Sequence, residues 1–503
     1  MGRSGAQAEE SMAYPLRSAL AVLAGATLLA PPALAQSEAW SRMAEQDLEA
    51  AYAFIEETHP GAVAARGDAT FLKQLGDGRA EARNLARSAR TFGGYRAALE
   101  RFAAAFDDPH IATASWVQPD RYWPGFLISS RRGGWKVVEG GAGDGPEAGA
   151  ELISCDGESP DRLAAARLGP FTSAWTVSAQ GMRSSSSLLL DSGNPHQPRL
   201  ESCDFRGADG KIATHRLNWR RIGSGDLAKQ FANLGPSAAE EVGLRPFESG
   251  WWIRLGTLSA AALPLMKEVE ARQAALRAAP FIVVDLRGNS GGASFISDRV
   301  AEVIYGTARV DRAVRPKGAL EPQKVIWRAS PTTLKTANSY VERASRLVGA
   351  NHPIALGMAA QRDALKAAQE RGRPLAQGPD TIDANPGLRK LDRVRRPPPV
   401  ILVTDRLCFS SCLQAARLFR ALGATHVGQE TNANTHYSNV ITTDLPSGLS
   451  SFSSLQAYSS HVPRQLGPYA PSLAFKVEFA DDRAVEAEVR KLIARRNASG
   501  GRR

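Results

Sequence analysis

The chain has 503 residues, of which 43% are hydrophobic, and a formal net charge of +11 at neutral pH. This length predicts two or three domains with a large buried core. Beyond the N-terminus no apolar stretch reaches the roughly 20 residues that span a bilayer, which excludes an integral membrane segment in the mature chain.

The positive charge suggests a nucleic-acid partner at first, but it is concentrated in one part of the chain. Residues 306–400 contain 18 Lys and Arg against 8 Asp and Glu, a surplus of 10. This segment has few aromatic residues that could stack on bases. We therefore expect no nucleic-acid binding, and we interpret residues 306–398 as a basic helical insert that forms a solvated lid or contributes to substrate binding.

The N-terminus has the pattern of an export signal. Arg17 precedes a short apolar stretch that ends in Ala33-Leu34-Ala35, and a positive flank, an apolar centre and small residues at the end are typical of a cleaved signal peptide. We expect residues 1–35 to be removed and the protein to be periplasmic or secreted. An uncleaved anchor is less favoured because Pro31 and Pro32 interrupt the apolar run.

The next two regions differ in their periodicity. Residues 36–115 are predicted to be mostly helical, because residues 45–57 and 94–106 carry apolar side chains at helical spacing. Residues 116–225 contain short strands separated by Gly, Pro and Asp, which predicts a β-rich domain. The strand and turn at residues 151–157 resemble the C-terminal part of a PDZ domain. If that holds, Gly125 and Phe126 face a bound peptide that adds a strand to the sheet; a generic β subdomain is the open alternative.

A further predicted domain begins near residue 245 and extends to about 485. Within it, residues 281–284 form a continuous apolar strand, and the glycine-rich turn that follows contains Gly288, Gly291 and Gly292 before a helix starts near Ser294. Main-chain amides exposed by such a turn stabilise negative charge. The turn therefore predicts an oxyanion hole, with an ordinary strand-to-helix turn as the alternative.

The same turn also fits the nucleophile-elbow pattern G-x-S-x-G, with Ser290 at its centre. That interpretation makes the protein an esterase that uses Ser290. It requires a downstream histidine, and His426, His436 and His461 are available.

A second strand, turn and helix starts at residue 399. Its turn holds Phe409, Ser410 and Ser411 between two cysteines, and a short strand follows at residues 424–428. Alternation of strands and helices through this region argues for an α/β architecture.

Taken together, three blocks resemble the C-terminal processing peptidases, or tail-specific proteases, whose relatives include the tricorn core and the interphotoreceptor retinoid-binding proteins. Residues 285–292, Asp-Leu-Arg-Gly-Asn-Ser-Gly-Gly, are similar to the oxyanion-hole turn of that family, and residues 409–411 to its nucleophile turn. Residues 107–110, Asp-Asp-Pro-His, are similar to the segment that supplies a histidine in Ser-His members. The resemblance implies a ClpP/crotonase-like catalytic core.

The resemblance and elementary chemistry imply the same roles. A serine hydroxyl needs a base with a suitable pKa, such as an imidazole, within hydrogen-bond reach. We expect Ser410 to be the nucleophile, His110 the base, and the amides of Gly291 or Gly292 and of Ser411 the oxyanion donors. The predicted activity is that of a serine endopeptidase acting on protein or peptide substrates, with no cofactor and no metal.

The chain departs from the family in two places. Asn434 stands where many members have a catalytic lysine, and residues 463–471 lack the glutamate that orients the histidine. Gln465, Tyr469 or Asp108 remain as candidates to hold the His110 ring. Because the sequence does not identify the third member of the triad, a catalytically inactive protein that binds peptides or apolar ligands stays open as an alternative.

The four cysteines fall into two local pairs, Cys155 with Cys203 and Cys408 with Cys412. An oxidising compartment permits disulfides within both pairs, and free thiols are the alternative. Their spacing is not that of a zinc site. At the C-terminus, residues 486–503 are expected to contain a helix end and a disordered basic tail.

Overall fold

The computed structural model describes residues 33–131, 134–139, 145–232, 241–314, 324–378, 392–460, 462–477, 479 and 481–500. Residues 1–32 of the expected signal segment and parts of the basic insert, 315–323 and 379–391, lie outside these ranges. Within them no helix combines the length and apolar character needed to cross a membrane. The fold is mixed α/β, with several sheets and helices.

The N-terminal region is helical, as predicted. Its helices and the strand after them are α1 (Ala33–Thr58), α2 (Ala69–Ser88), α3 (Phe92–Ala104) and β1 (Thr113–Ser115). Side chains of Asp68 and Thr91 cap α2 and α3 by accepting from the amides of Phe71 and Gly94. The apolar faces of the three helices form one core that continues onto Phe452 of a later strand.

The β-rich region follows. Its elements are β2 (Arg121–Trp123), β3 (Leu127–Arg131), β4 (Gly134–Glu139), β5 (Glu151–Cys155), α4 (Pro160–Arg167), α5 (Ser178–Ser185), β6 (Ser202–Arg206), β7 (Ile212–Arg216), β8 (Arg220–Ile222) and α6 (Ser224–Ala232). Strands β3 to β7 form an antiparallel sheet in sequence order, and β2 pairs with β8. Cys155 and Cys203 lie opposite each other on β5 and β6 and form a disulfide.

The expectation that Gly125 and Phe126 face a bound peptide is wrong for the Phe126 side chain. Phe126 is only 3% exposed and packs edge-on against Phe205, with ring centroids 5.6 Å apart. A Cβ on Gly125 would lie 2.5 Å from the guanidinium of Arg220. Burial of the aromatic ring in the sheet's own core therefore removes it from any peptide-binding surface.

The remaining elements build the core and a second sheet. They are β9 (Val242–Phe247), β10 (Gly250–Leu255), α7 (Leu263–Ala271), α8 (Gln273–Ala278), β11 (Ile282–Asp285), α9 (Ser294–Tyr305), α10 (Thr307–Val314), β12 (Val325–Arg328), α11 (Pro331–Val348), α12 (Pro353–Glu370), β13 (Leu375–Gln377), β14 (Val400–Thr404), α13 (Ser411–Ala421), β15 (Thr425–Gly428), β16 (Asn434–Thr435), β17 (Tyr437–Asp444), β18 (Ser450–Ser459), β19 (Gln465–Leu466), β20 (Leu473–Ala474) and α14 (Asp482–Gly500).

The core sheet has the order β20-β15-β14-β11-β10-β9, and its strands are parallel except for β9. Strands β11 and β14 are buried along their whole length. Ile282 and Val284 pack toward α9 and α13, whereas Val283 packs toward α14. Coverage of both faces explains why these strands are continuously apolar in sequence.

The basic insert is not a purely helical lid. Its strands β12 and β13 belong to a second sheet with β1, β17 and β18, in which β12 pairs with β18. Trp327 of β12 and Ala376 of β13 pack with Ala457 of β18 and with the hairpin of α11 and α12. The insert is helical over α11 and α12, but it also completes the sheet that packs on the N-terminal helices.

Part of the stretch expected to be a disordered basic tail is helical, because α14 continues to Gly500; residues 501–503 lie outside the described residues. The first part of this helix is anchored through Val485 and Val489, which are buried against the core sheet. Arg495, Arg496 and Ala498 then favour continuation, since Arg and Ala have high helix propensity.

Candidate active site

The two turns predicted to carry the chemistry lie side by side. Strands β11 and β14 are parallel neighbours with Asp285 paired to Val403, so both chains leave the sheet at the same edge, where α/β proteins usually bind ligands. The amide of Phe409 donates to the carbonyl of Asn289 at 3.2 Å. Hydrogen bonds across the turns therefore join the glycine-rich segment to the Ser410 segment.

Ser410 stands at the start of α13 in an unusual conformation. Its φ of 58° and ψ of −127° lie outside the regions that non-glycine residues normally occupy. Such strain is typical of functional sites where the surrounding structure holds a side chain in place. The Ser410 side chain is partly exposed.

Gly291 allows the two turns to approach. Its φ is 112°, and a Cβ at this position would lie 2.7 Å from Cβ and 3.1 Å from Oγ of Ser410. Only glycine fits there, because any side chain would push against the serine.

The glycine amides differ in what they contact. The amide of Gly291 donates to Oδ1 of Asn289 at 2.8 Å, which contradicts its predicted use as a free oxyanion donor. The amide of Gly292 has no hydrogen-bond acceptor among the described residues. Oγ of Ser411 donates to the carbonyl of Gly292 at 2.6 Å, so Gly292 lies beside the start of α13. There the amides of Cys412 and Leu413 donate to the carbonyls of Phe409 and Ser410, whereas the amide of Ser411 has no hydrogen-bond acceptor among the described residues.

His110 belongs to the N-terminal region and lies beside the Ser410 turn. Its ring stacks on Phe409, the neighbour of Ser410, with centroids 4.4 Å apart. The structure therefore brings residue 110 beside the Ser410 turn, although the two are 300 positions apart in the chain.

Asp108 orients the His110 ring. Oδ1 of Asp108 lies 2.8 Å from Nδ1 of His110, and Oδ2 accepts from the hydroxyl and from the amide of Thr435, the latter at 3.0 Å. Burial would raise the pKa of Asp108, but hydrogen bonds and the charge of His110 outweigh it and bring the pKa below its usual value. An ionised carboxylate can only accept, so Nδ1 donates, and Nε2 carries the lone pair when the ring is neutral.

The other candidates for orienting the ring lie elsewhere. Gln465 pairs with Thr435 through the backbone of β16 and β19. The ring of Tyr469 lies under the guanidinium of Arg420, 4.7 Å from its carbon. Asn434 donates its side-chain amide to the carbonyl of Thr435. Among the three candidates from sequence, Asp108 is the one that the structure joins to His110.

Ser290 is exposed, and no described histidine is hydrogen-bonded to it. His426 uses Nε2 toward the hydroxyl of Thr404 at 2.8 Å, and His436 uses Nε2 toward Arg66 at 2.8 Å. His461 lies outside the described residues. Within the described part of the chain, Ser290 thus has no histidine base.

Sequence reasoning missed two buried supports of the site. Asp405 accepts from the amides of Gly288 and Leu407 at 2.9 and 3.0 Å, and its burial raises its pKa to about 6. The position of Asp405 directly after a buried strand is the sequence feature that could have identified it. Thr435 gave no sequence signal, because its contact with Asp108 spans 327 positions.

The second cysteine pair brackets the Ser410 turn. Cys408 and Cys412 form a disulfide, and both residues are fully buried. Among the described residues no group of three or more His, Cys, Asp or Glu side chains is arranged to hold a metal ion.

Comparison with models of protein families gave no match, and no curated protein is detectably similar in sequence. Solved structures do match. Mature CPAF is 12% identical, with a TM-score of 0.62 over 91% of this chain and 98% of that one. Its complex with lactacystin gives 13% identity and a TM-score of 0.63, with 91% and 99% covered. At this level of identity the match shows a shared fold. For the photosystem II D1 C-terminal processing protease the TM-score is 0.34 at 13% identity, with 88% and 96% covered.

Proposed function

We propose that the chain is an exported serine endopeptidase of the C-terminal processing type, with a ClpP/crotonase-like core, which hydrolyses protein or peptide substrates through an acyl-enzyme. The observation that carries this proposal is the convergence of three distant segments. The Ser410 turn, the glycine-rich turn and the Asp108-His110 pair meet through the hydrogen bond from Phe409 to Asn289 and the stacking of His110 on Phe409.

In the proposed acylation, Oγ of Ser410 attacks the peptide carbonyl and Nε2 of His110 takes the hydroxyl proton. Asp108 stabilises the imidazolium through Nδ1 without itself becoming protonated. The carbonyl oxygen becomes negative, and the amides of Gly292 and Ser411 donate to it. His110 then protonates the leaving amine, and the C–N bond breaks to give the acyl-enzyme.

Deacylation repeats these steps with water as the nucleophile. His110 removes a proton from water, the hydroxide adds to the ester carbonyl, and the proton returns to Oγ of Ser410 as the C–O bond breaks. In this proposal Gly291 acts by leaving room for Ser410, since its own amide is engaged by Asn289.

The similarity to mature CPAF supports the fold on which this proposal depends, and the ionised, buried Asp108 supports a Ser-His-Asp arrangement in place of the expected glutamate. A catalytically inactive binding protein on the same fold is the main rival. The esterase that uses Ser290 is not favoured, because the described histidines near the core have other partners.

A peptide-library digest tests the proposal. Wild type, Ser410→Ala and Ser290→Ala are incubated with the library, and new termini are read by mass spectrometry. We expect Ser410→Ala to lose cleavage by at least about a thousandfold, the scale seen when a triad member is removed, while Ser290→Ala retains it. Equal cleavage by wild type and Ser410→Ala would exclude the mechanism, and binding without cleavage by wild type would favour the inactive binder.

Export is a separate part of the proposal. The positive flank and the Ala33-Leu34-Ala35 end support cleavage after Ala35. Intact-mass measurement of protein taken from the producing cell should give a chain that starts at Gln36; a mature protein that retains residues 17–35 would rule out cleavage at this site.

A further inference from the structure

The Ser410 turn, residues 408–412, is closed by a covalent bond inside the core. Cys408 and Cys412 form a disulfide across it, four positions apart in sequence. Both cysteines are 0% exposed and belong to the apolar core that the sheet forms with α9. The residues between them, 409–411, are partly exposed. Both ends of the turn are therefore fixed in the core, while its middle presents Ser410 at the surface.

The turn adopts a strained conformation without the help of glycine. The φ of Ser410 is 58°, a value at which a residue with a Cβ is strained. In the neighbouring turn a positive φ, 112°, falls on Gly291, and glycine adopts such values readily. Residues 405–412 contain no glycine. The conformation of Ser410 therefore has to be imposed by the structure around it.

Few hydrogen bonds restrain Ser410 itself. No described backbone carbonyl accepts from its amide, and its side chain does not cap α13. The hydrogen bonds nearby belong to the flanking residues: the amide of Cys408 donates to Asp405 at 3.2 Å, and that of Cys412 to Phe409 at 3.1 Å. The disulfide joins these two cysteines directly, so it fixes the distance that the strained turn has to span.

The residues on either side of Ser410 are joined to the rest of the site. Phe409 stacks on the ring of His110 with centroids 4.4 Å apart. Oγ of Ser411 donates to the carbonyl of Gly292 at 2.6 Å. Relaxation of the turn therefore changes the position of Ser410 relative to both the candidate base and the glycine-rich turn.

The second disulfide of the chain provides a comparison. Cys155 and Cys203 are as deeply buried as Cys408 and Cys412, but they are 48 positions apart. A disulfide stabilises a fold mainly by restricting the unfolded chain, and the effect grows with the length of the closed loop. The bond between Cys408 and Cys412 therefore stabilises the whole chain less than the other bond does, and its main effect is local.

We propose that the disulfide between Cys408 and Cys412 is a positioning element that holds Ser410 in its reactive conformation. Its catalytic consequence rests on the proposed serine-peptidase function. Neither cysteine takes part in the chemistry, since each acts through Ser410. A chain in which these two thiols stay reduced is folded but reacts slowly. Oxidised glutathione closes the bond by thiol-disulfide exchange: the protein thiols lose two protons and two electrons, and glutathione is released as two thiols.

Two double variants test the proposal. Cys408→Ala, Cys412→Ala should lower kcat by about a hundredfold with little change in KM, because a shift of Ser410 by about 1 Å costs roughly that much. Cys155→Ala, Cys203→Ala should keep kcat within a few fold of wild type and lose more thermal stability, because it opens a longer loop. Peptide cleavage and thermal unfolding measure the two effects. An equal kcat in all three chains overturns the proposal, and so does an equal loss of kcat in the two double variants.

A measurement on the wild-type sequence guards against variants that fail to fold. The mature chain is unfolded in urea with dithiothreitol and refolded in mixtures of reduced and oxidised glutathione. Alkylation followed by mass spectrometry counts the chains that carry each bond. Activity should rise in proportion to the fraction that carries the bond between Cys408 and Cys412. Activity that follows the bond between Cys155 and Cys203, or neither bond, contradicts the proposal.

Hydrogen exchange distinguishes a failure of this proposal from a failure of the proposed function, because it does not depend on catalysis. In Cys408→Ala, Cys412→Ala the amides of residues 405–413 should exchange faster than in wild type, and those of β11 should not change. If exchange changes in this way but wild type neither cleaves peptides nor reacts with a fluorophosphonate, the turn is held as proposed and the peptidase function fails. Unchanged exchange at residues 405–413 in an active protein overturns the positioning role and leaves the function intact.

Discussion

At the residue scale, the site depends on how Asp108 is held. The carboxylate is 1% exposed and uses both oxygens, one toward His110 and one toward Thr435. Its neighbour Asp107 is exposed and accepts a hydrogen bond from the side-chain amide of Gln74 at 3.0 Å. Two adjacent aspartates therefore differ in what they do: Asp108 fixes the tautomer of His110, whereas Asp107 contacts a helix of the N-terminal region.

The substitution Asp108→Asn should lower kcat by about a thousandfold to ten-thousandfold with little change in KM. An amide at this position allows the wrong His110 tautomer, which leaves Ser410 without a base. Steady-state kinetics on a cleaved peptide measures the effect. Asp107→Asn is the matched control and should keep kcat within a few fold of wild type; equal losses in the two variants would refute the role of Asp108.

The pH dependence of stability gives a second readout for Asp108. Its pKa is lowered in the folded chain, so its contribution to the free energy of unfolding is present above the unfolded-state value of about 3.9 and is lost as the pH falls below it. Urea unfolding should show that wild type is more stable than Asp108→Asn near neutral pH and that this difference shrinks below pH 4.

At the scale of elements, the proposed catalysis depends on two turns that follow neighbouring parallel strands. Asp405 at the end of β14 accepts from the amide of Gly288 in the turn after β11, and Asn289 accepts from Phe409. These contacts hold the turns in register, and the absence of a side chain on Gly291 sets how closely they approach.

The substitution Gly291→Ala should lower kcat by about a hundredfold, because the added methyl displaces Ser410 and a shift of about 1 Å costs roughly that much. Gly349→Ala is the control. Gly349 also has a positive φ, 94°, but a Cβ there meets nothing within 4 Å. It should lose about 1 to 2 kcal/mol of stability from backbone strain and keep its kcat. Full activity of Gly291→Ala would contradict the close packing of the turns.

At the scale of the whole molecule, a buried ion network joins the active-site strand to the C-terminal helix. Arg287 is 1% exposed; it pairs with Asp285 and Asp482, each at 2.7 Å, and donates to the carbonyl of Phe479 at 2.8 Å. Arg254 of β10 also contacts Asp285, at 2.5 Å. The network ties β10, β11 and α14 into one unit.

Arg287→Ala should lower the free energy of unfolding by about 3 to 5 kcal/mol, because it leaves Asp285 buried with its main partner removed. Arg245 also bridges to α14, through Glu486, but this pair is partly exposed. Arg245→Ala should therefore cost at most about 1 kcal/mol. Chemical denaturation of the two variants compares them directly, and equal destabilisation would mean that the buried network does not anchor the helix.

The sequence predicted the parts of this molecule that depend on local pattern. Apolar runs identified β11 and β14, and the glycine-rich turn and the start of α9 at Ser294 followed from residue type. Contacts between residues that are distant in the sequence could not be predicted from local patterns. The sequence around Phe126 does not indicate which side of the sheet its side chain occupies. Strands β12 and β13 are too short for the sequence to predict the sheet that they form with β18. The acceptor of the Gly291 amide likewise depends on a side-chain rotamer of Asn289.

The central claim is that Ser410 is the residue that reacts. Treatment of the full mature chain with a fluorophosphonate probe, followed by digestion and mass spectrometry, identifies the labelled serine directly. We expect a single adduct on Ser410, lost in Asp108→Asn and unaffected by Ser290→Ala. Labelling of Ser290, or a folded wild-type chain that takes up no probe at any serine, would contradict the assignment.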